Sequence, residues 1–200
     1  MTTVAVILYE DQRGKEKEFG LHNLVVACVA DDLGKDVFTL CRAFEAHPTK
    51  GVSNLLRSCR QDVHRLGARG QRVFALIDAD KIREQLRHEG VPASADDDAV
   101  VRAIKAEGRC VAPDQLEVVL LKENTETVIQ AAKLCDKELP DAAVEQALRK
   151  DVNARDRILN NVAYGKGRAV RDCIRGKVPA IQALAGALRD LFTVRSVMDS

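Results

Sequence analysis

Apolar and polar positions alternate along this chain in two rhythms. Three short apolar runs stand out: Val4 to Tyr9, Val73 to Ile77, and Leu116 to Leu121 with Glu117 inside it. Runs of this length without strict alternation read as strands of a parallel sheet, buried on both faces. Between them, apolar residues recur at helical spacing. Lys15–Leu33 reads as a helix on Leu21, Leu24, Val25 and Cys28, with Gly20 weakening its first turns and Gly34 closing it. Ser53–Leu66 reads as a second helix on Leu55, Leu56, Cys59 and Val63, closed by Gly67. Lys81–His88, Ala95–Glu107 and Asn124–Cys135 complete the helical set, and Gly14, Pro48, Gly51, Gly90 and Pro92 mark turns. Asp36–Phe44, built on Val37, Phe38, Leu40 and Cys41, reads as a further strand.

Strands alternating with helices specify an α/β fold, here a three-layer arrangement around a mostly parallel sheet. Beyond Pro140 the strand signal ends. Asp141–Lys150, Val152–Tyr164, Arg168–Arg175 and Pro179–Phe192 are all helical by pattern. The expected organisation is therefore an α/β domain over residues 1–139 and a helical extension over residues 140–200.

Each of the three apolar runs ends in acid. Glu10 and Asp11 follow the first, Asp78 and Asp80 the second, and Glu123 and Glu126 the third. In open α/β sheets, ligands bind outside the carboxyl ends of the strands. Carboxylates gathered there repel one another unless a cation compensates them. Mg²⁺ favours such hard oxygens, often one or two carboxylates completed by substrate phosphates. The same residues also serve as strand ends and helix caps. Asp96, Asp97 and Asp98 are read that second way, as a helix N-terminus stabilised by the macrodipole.

The order of these acids resembles the Toprim fold, shared by topoisomerases, primases and nucleases of the OLD (overcoming lysogenization defect) type. In that family a Glu ends the first strand and an Asp-x-Asp ends a later one, which are Glu10 and Asp78/Asp80 here. The OLD-like branch adds an acid near the start of a later helix, for which Glu126 is the better candidate within Glu123-Asn124-Thr125-Glu126. Asp11 stands where the family has Gly. The resemblance covers residues 1–136. It implies a nuclease using Mg²⁺ or Mn²⁺ on the phosphodiester bonds of DNA or RNA, in phage defence or repair, with Glu10, Asp78, Asp80 and Glu126 as metal ligands. It also implies an ATPase partner; no ATPase motif occurs in this chain, so that partner would be a separate subunit.

A cation near the scissile phosphate would offset charge developing in the transition state. Lys81 and Lys166 are the candidates, the latter within Tyr164-Gly165-Lys166-Gly167-Arg168. Lys81 also fits a solvated first-turn residue, and the glycines beside Lys166 also fit helix ends. Net charge is only +1, but the stretch Arg155–Lys177 concentrates Arg155, Arg157, Lys166, Arg168, Arg171, Arg175 and Lys177. Such a stretch is either the footprint of a phosphate-rich partner or an ordinary charged helix face.

Other chemistries lack support. Gly165-Lys166-Gly167 has neither the strand nor the spacing of a P-loop. The four His are scattered, and no nucleophile elbow is present. Phosphoryl transfer through Asp78 as nucleophile is a weaker alternative, since Lys81-Ile82-Arg83 follow where the family it would resemble usually has Thr or Val shortly after its second Asp. The six Cys show no C-x-x-C spacing, and Cys28, Cys41, Cys59 and Cys135 read as small buried hydrophobes in a reducing compartment. No apolar stretch suits a membrane span or signal peptide, so a cytoplasmic protein is expected. A non-catalytic Toprim-like subunit, binding an ATPase or nucleic acid, is the alternative to the nuclease.

Overall fold

The computed structural model describes residues 3–10, 19–67, 71–122, 125–149 and 151–198, with side chains described as far as Arg195. Asp11, Gly14, Lys15, Glu123, Asn124 and Lys150, all named above, lie outside these residues. In chain order the first elements are β1 (Ala5–Glu10), α1 (Gly20–Leu33), α2 (Val37–Leu40), β2 (Phe44–Thr49) and α3 (Val52–Arg57). A π-helical stretch (Ser58–Asp62) runs from α3 into α4 (Val63–Leu66), followed by β3 (Arg72–Asp78), α5 (Ala79–Arg87), α6 (Asp97–Ile104) and β4 (Leu116–Leu121). The remainder is helical: α7 (Thr125–Cys135), α8 (Asp141–Leu148), α9 (Val152–Asn160) with a π-helical continuation (Asn161–Gly165), α10 (Arg168–Lys177) and α11 (Pro179–Met198).

These elements form two compact units, one of Met1–Glu16 with Ala43–Lys122, the other of Lys17–Arg42 with Glu123–Ser200. The first holds a four-stranded sheet of order β2-β1-β3-β4. Every pair in it is parallel, which establishes the α/β class and the parallel sheet expected from the apolar runs. The central strands are buried along both alternations, as Val4–Tyr9 and Val73–Ile77 show. Alternate residues Val73, Ala75 and Ile77 join Leu8 in a core with Leu55, Leu56, Cys59 and Val63, and with Ile82 and Leu86 of α5 and Val100 and Ile104 of α6. Ile82 and Leu86, four apart, put one face of α5 into that core and so fix the helix that follows Asp78.

The strand expected over Asp36–Phe44 is not formed. Asp36 accepts a hydrogen bond from the Thr39 N–H at 3.1 Å and so closes a helical turn, α2. The strand lies further on, at Phe44–Thr49, and contains Pro48. Proline is tolerated there because β2 is an edge strand, paired only with β1.

The second unit is built on α1. Residues Gly20–Ala30 are buried all round, the state of a helix enclosed by other helices. A Cβ on Gly20 would lie 2.7 Å from the Leu159 Cβ and 2.8 Å from the Asp156 carbonyl oxygen. Only glycine allows that approach, and the Gly20 N–H donates to the Asp156 carboxylate at 3.0 Å. Glycine's cost at the start of the helix is thus accepted for packing against α9. At the other end Gly34, at φ 60°, supplies the left-handed cap expected of it.

Two guanidinium groups hold the helices around α1. Arg171 donates to both Asp31 oxygens, at 2.5 and 2.7 Å, and to the carbonyl oxygens of Val162, Ala163 and Lys166. Arg175 forks onto Asp32 at 2.7 and 2.9 Å and donates to Gln182 at 2.6 Å. Both arginines are buried. Cysteine use differs from expectation. Cys135 is not a free thiol but is bonded to Cys173, joining α7 to α10 across 38 residues. No sequence spacing announces that pair; it follows from the packing of two distant helices. Cys28, Cys59 and Cys110 are buried and free, while Cys41 is only partly buried. Burial pushes the Cys28 and Cys59 thiols up to about 12. No described helix is long and apolar enough to cross a membrane.

Two outcomes follow from this packing. Arg171→Ala strands Asp31 and three carbonyl oxygens, so it is expected to lower stability by about 3 kcal/mol, read by denaturant unfolding. Reducing the disulfide, which closes a 38-residue span, is expected to cost about 3–4 kcal/mol on the chain-entropy model. A thermal melt with and without reductant checks this, with Cys173→Ser insensitive to reductant.

Candidate functional site

The sheet order brings the acids of the first unit to one edge. β1 and β3 are adjacent and parallel, in register from Ala5 opposite Arg72 to Tyr9 opposite Leu76. Glu10 closes one strand and Asp78 the other, so both carboxylates leave the sheet at its carboxyl edge. Thr49 closes β2 opposite Glu10, and its buried hydroxyl donates to the Tyr9 carbonyl oxygen at 3.0 Å. That hydrogen bond ties the edge strand down beside Glu10; sequence reasoning missed it because Thr49 follows a proline.

Asp78 has two tasks. Its Oδ1 accepts from the backbone N–H groups of Asp80 and Lys81, at 3.2 and 3.4 Å, and so caps α5. Its Oδ2 lies 3.8 Å from the Lys81 ammonium. The same ammonium lies 3.2 and 3.3 Å from the two Glu10 oxygens. The Glu10 and Asp78 side chains are 15% and 12% exposed, while Lys81 is 52% exposed. Two sheltered carboxylates thus share one cation that remains open to solvent. Asp80 stands exposed in the first turn of α5, where the helix dipole favours a negative charge.

Asp96–Asp98 serve the helix, as expected. Asp96 caps α6 by accepting from the Ala99 N–H at 2.7 Å, and Asp97 pairs with Arg83 and with Lys122.

The second unit carries the other predicted residues. Glu126 lies in the first turn of α7 and pairs with Arg155, which also donates to the Ala147 carbonyl oxygen at 2.9 Å. Lys166 lies 2.8 Å from Glu138 and 3.2 Å from buried Asp136. Those hydrogen bonds, with Glu138 first, hold its amine above the ordinary lysine range. The basic stretch is largely engaged in such pairs: Arg155, Lys166, Arg168, Arg171 and Arg175 all face acids. Only Arg157 and Lys177 of the seven make no ion pair among the described residues.

Does the set suit a divalent metal? Among the described residues, no group of three or more His, Cys, Asp or Glu is arranged to hold one. Glu10 and Asp78 nonetheless direct hard oxygens at one cation, the donor chemistry of Mg²⁺ when substrate phosphates complete the shell. The Lys81 ammonium stands where such a charge is wanted.

No family model matches this sequence, and no curated protein matches it. Among solved structures, the chain is similar to the C-terminal region of the Xanthomonas campestris pv. campestris OLD protein. The likeness has 15% identity and a TM-score of 0.49, and it covers 99% of this chain and 98% of that one. A likeness at that level assigns no function.

The double role of Asp78 separates two substitutions. Asp78→Ala removes the α5 cap and is expected to cost about 1 kcal/mol, whereas Asp78→Asn keeps the cap and removes the charge. Lys81→Ala leaves Glu10 and Asp78 without their shared cation. It is expected to melt lower in the absence of divalent ions and to gain more from Mn²⁺ than the parent chain does. Thermal melts across a Mn²⁺ titration decide this; an identical response in Lys81→Ala and in Asp78→Asn with Glu10→Gln would place ion binding elsewhere.

Proposed function

We propose that this protein is a Toprim-like, metal-dependent nuclease that hydrolyses phosphodiester bonds of DNA or RNA. The observation that supports it is the convergence of Glu10 and Asp78 on one cation at the carboxyl edge of a parallel sheet. Glu10 and Asp78, with Asp80 beside them, would hold Mg²⁺ or Mn²⁺. The bound metal would activate water and offset charge on the phosphoryl oxygens. The chain's own groups do the rest. The α5 N-terminus fixes the Asp78 carboxylate through two backbone donors. Lys81, more than half exposed, is free to turn from the acids to an incoming phosphate and to neutralise charge there. Glu126 and Lys166 lie in the second unit, engaged by Arg155 and by Asp136 and Glu138, and in this proposal the metal belongs to Glu10, Asp78 and Asp80. A separate ATPase subunit and a role in phage defence or repair belong to the same proposal.

A second reading is a non-catalytic subunit that binds an ATPase or nucleic acid. It is favoured by the fact that the acids already carry internal cations: Lys81 for Glu10 and Asp78, Arg155 for Glu126. Cleavage decides between the two. With Mn²⁺ or Mg²⁺ and radiolabelled single- and double-stranded DNA and RNA, the nuclease cuts. Glu10→Gln and Asp78→Asn are expected to lower the rate at least 100-fold while nucleic acid binding persists. Cutting that survives both substitutions together places the active site elsewhere; absence of cutting by the parent chain, also with an ATPase partner supplied, establishes the second reading.

A further inference from the structure

Aromatic residues are scarce in this chain, five Phe and two Tyr with no Trp. Tyr9, Phe19, Phe44, Phe74 and Phe192 are all buried. The other two, Phe38 and Tyr164, are 67% and 43% exposed. They lie together in the second unit, stacked with ring centroids 5.3 Å apart and planes within 5°. Leaving the two remaining rings in water, face to face, forgoes the burial that the other five obtain.

The stack is also held in place. Phe38 sits in α2, whose turn is closed by Asp36. Tyr164 lies one residue before the end of the π-helical stretch, where Arg171 binds the carbonyl oxygens of Val162, Ala163 and Lys166 on either side of it. The Tyr164 hydroxyl interacts with the Cys41 thiol. Phe38, the more exposed ring, forms the open end of the stack.

Charged residues lie near both rings in the chain. Lys35 and Arg42 lie three residues before and four residues after Phe38, with Asp36 as the acid between, and Lys166 and Arg168 lie two and four residues after Tyr164; Lys35 is set over the Phe192 ring, 5.8 Å from its centroid. Lys166 and Arg168 have acid partners, whereas Arg42 is exposed and makes no ion pair among the described residues. An apolar protein surface would find charge around a two-ring patch. A planar base attached to a phosphate would find a ring to stack on and a guanidinium for its charge.

We infer that Phe38 and Tyr164 form a stacking platform for an unpaired nucleobase, with Arg42 facing the adjoining phosphate. The inference rests on the nucleic acid substrate proposed above and narrows it to strands with unstacked bases. A base laid on the outer face of Phe38 extends an existing stack, so the site needs no rearrangement and carries little sequence preference.

The test uses the full chain in EDTA, so that binding is read without cleavage. The probes are fluorescein-labelled oligo(dT) and an abasic strand of equal length, which keeps the phosphates and lacks the bases. The parent chain is expected to bind oligo(dT) about 10-fold more tightly than the abasic strand. Phe38→Ala and Phe38→Leu are expected to abolish that difference while leaving abasic binding unchanged. Phe38→Trp is expected to preserve it, and its indole emission, the only Trp signal in the chain, is quenched on binding oligo(dT). Equal binding of both probes by the parent, or binding of neither, overturns the platform. So does a Phe38→Ala variant that changes sedimentation of the free protein but not oligonucleotide binding, which assigns the patch to a protein contact. Base-dependent binding without metal-dependent cutting keeps the platform and removes the nuclease; cutting without base dependence does the reverse.

Discussion

The Lys81 ammonium is the charge on which the sheet edge depends. Parallel pairing of β1 with β3 delivers Glu10 and Asp78 to the same edge, and both are largely sheltered from water. Two carboxylates so placed repel, and burial penalises each further. One cation set three residues beyond Asp78, on the first turn of the helix that Asp78 caps, answers both problems. Helix α5 is in turn anchored by Ile82 and Leu86 in the core. The apolar packing of the first unit therefore sets where the ammonium sits.

The second unit solves its electrostatics differently. Its charges face inward: Asp31 and Asp32 at the end of α1 meet Arg171 and Arg175, forked and buried. A stretch that scans as a basic surface thus acts mostly as internal bracing. Buried pairs of this kind contribute little net stability beyond what apolar side chains would, but losing one partner is costly. They also admit only one arrangement of α1, α10 and α11, because a planar fork meets a carboxylate in a narrow range of orientations.

Strands β1 and β3 were legible in the sequence because a central parallel strand needs apolar residues on both faces and little else, and β4, at the sheet's other edge and half-buried, was legible from its apolar run. The acids at their ends were legible for the same reason, since the first polar residues after such a run mark where the sheet stops. Strand β2 was not legible. Its Pro48 reads as a loop, and only its edge position makes proline acceptable. Apolar Val37, Phe38 and Leu40 drew the strand assignment to α2 instead, although two of the three owe their pattern to other tasks than lining a sheet. The Cys135–Cys173 bond and the Arg171–Asp31 pair join residues 38 and 140 positions apart, and no local spacing encodes either. Lys81 was noticed beside the acids, but its reach across to Glu10 depends on the strand order, which no single segment carries.

Arg171 satisfies three carbonyl oxygens of the Val162–Lys166 stretch from outside that stretch. The bonds are made to main-chain atoms, so the course of the chain there is set by a residue on α10 and not by the side chains it displays. Such a segment can exchange its displayed residues freely while keeping its shape. It is a ready position for diversification, natural or designed, in which a new recognition surface is written onto a backbone that a single distant guanidinium keeps unaltered.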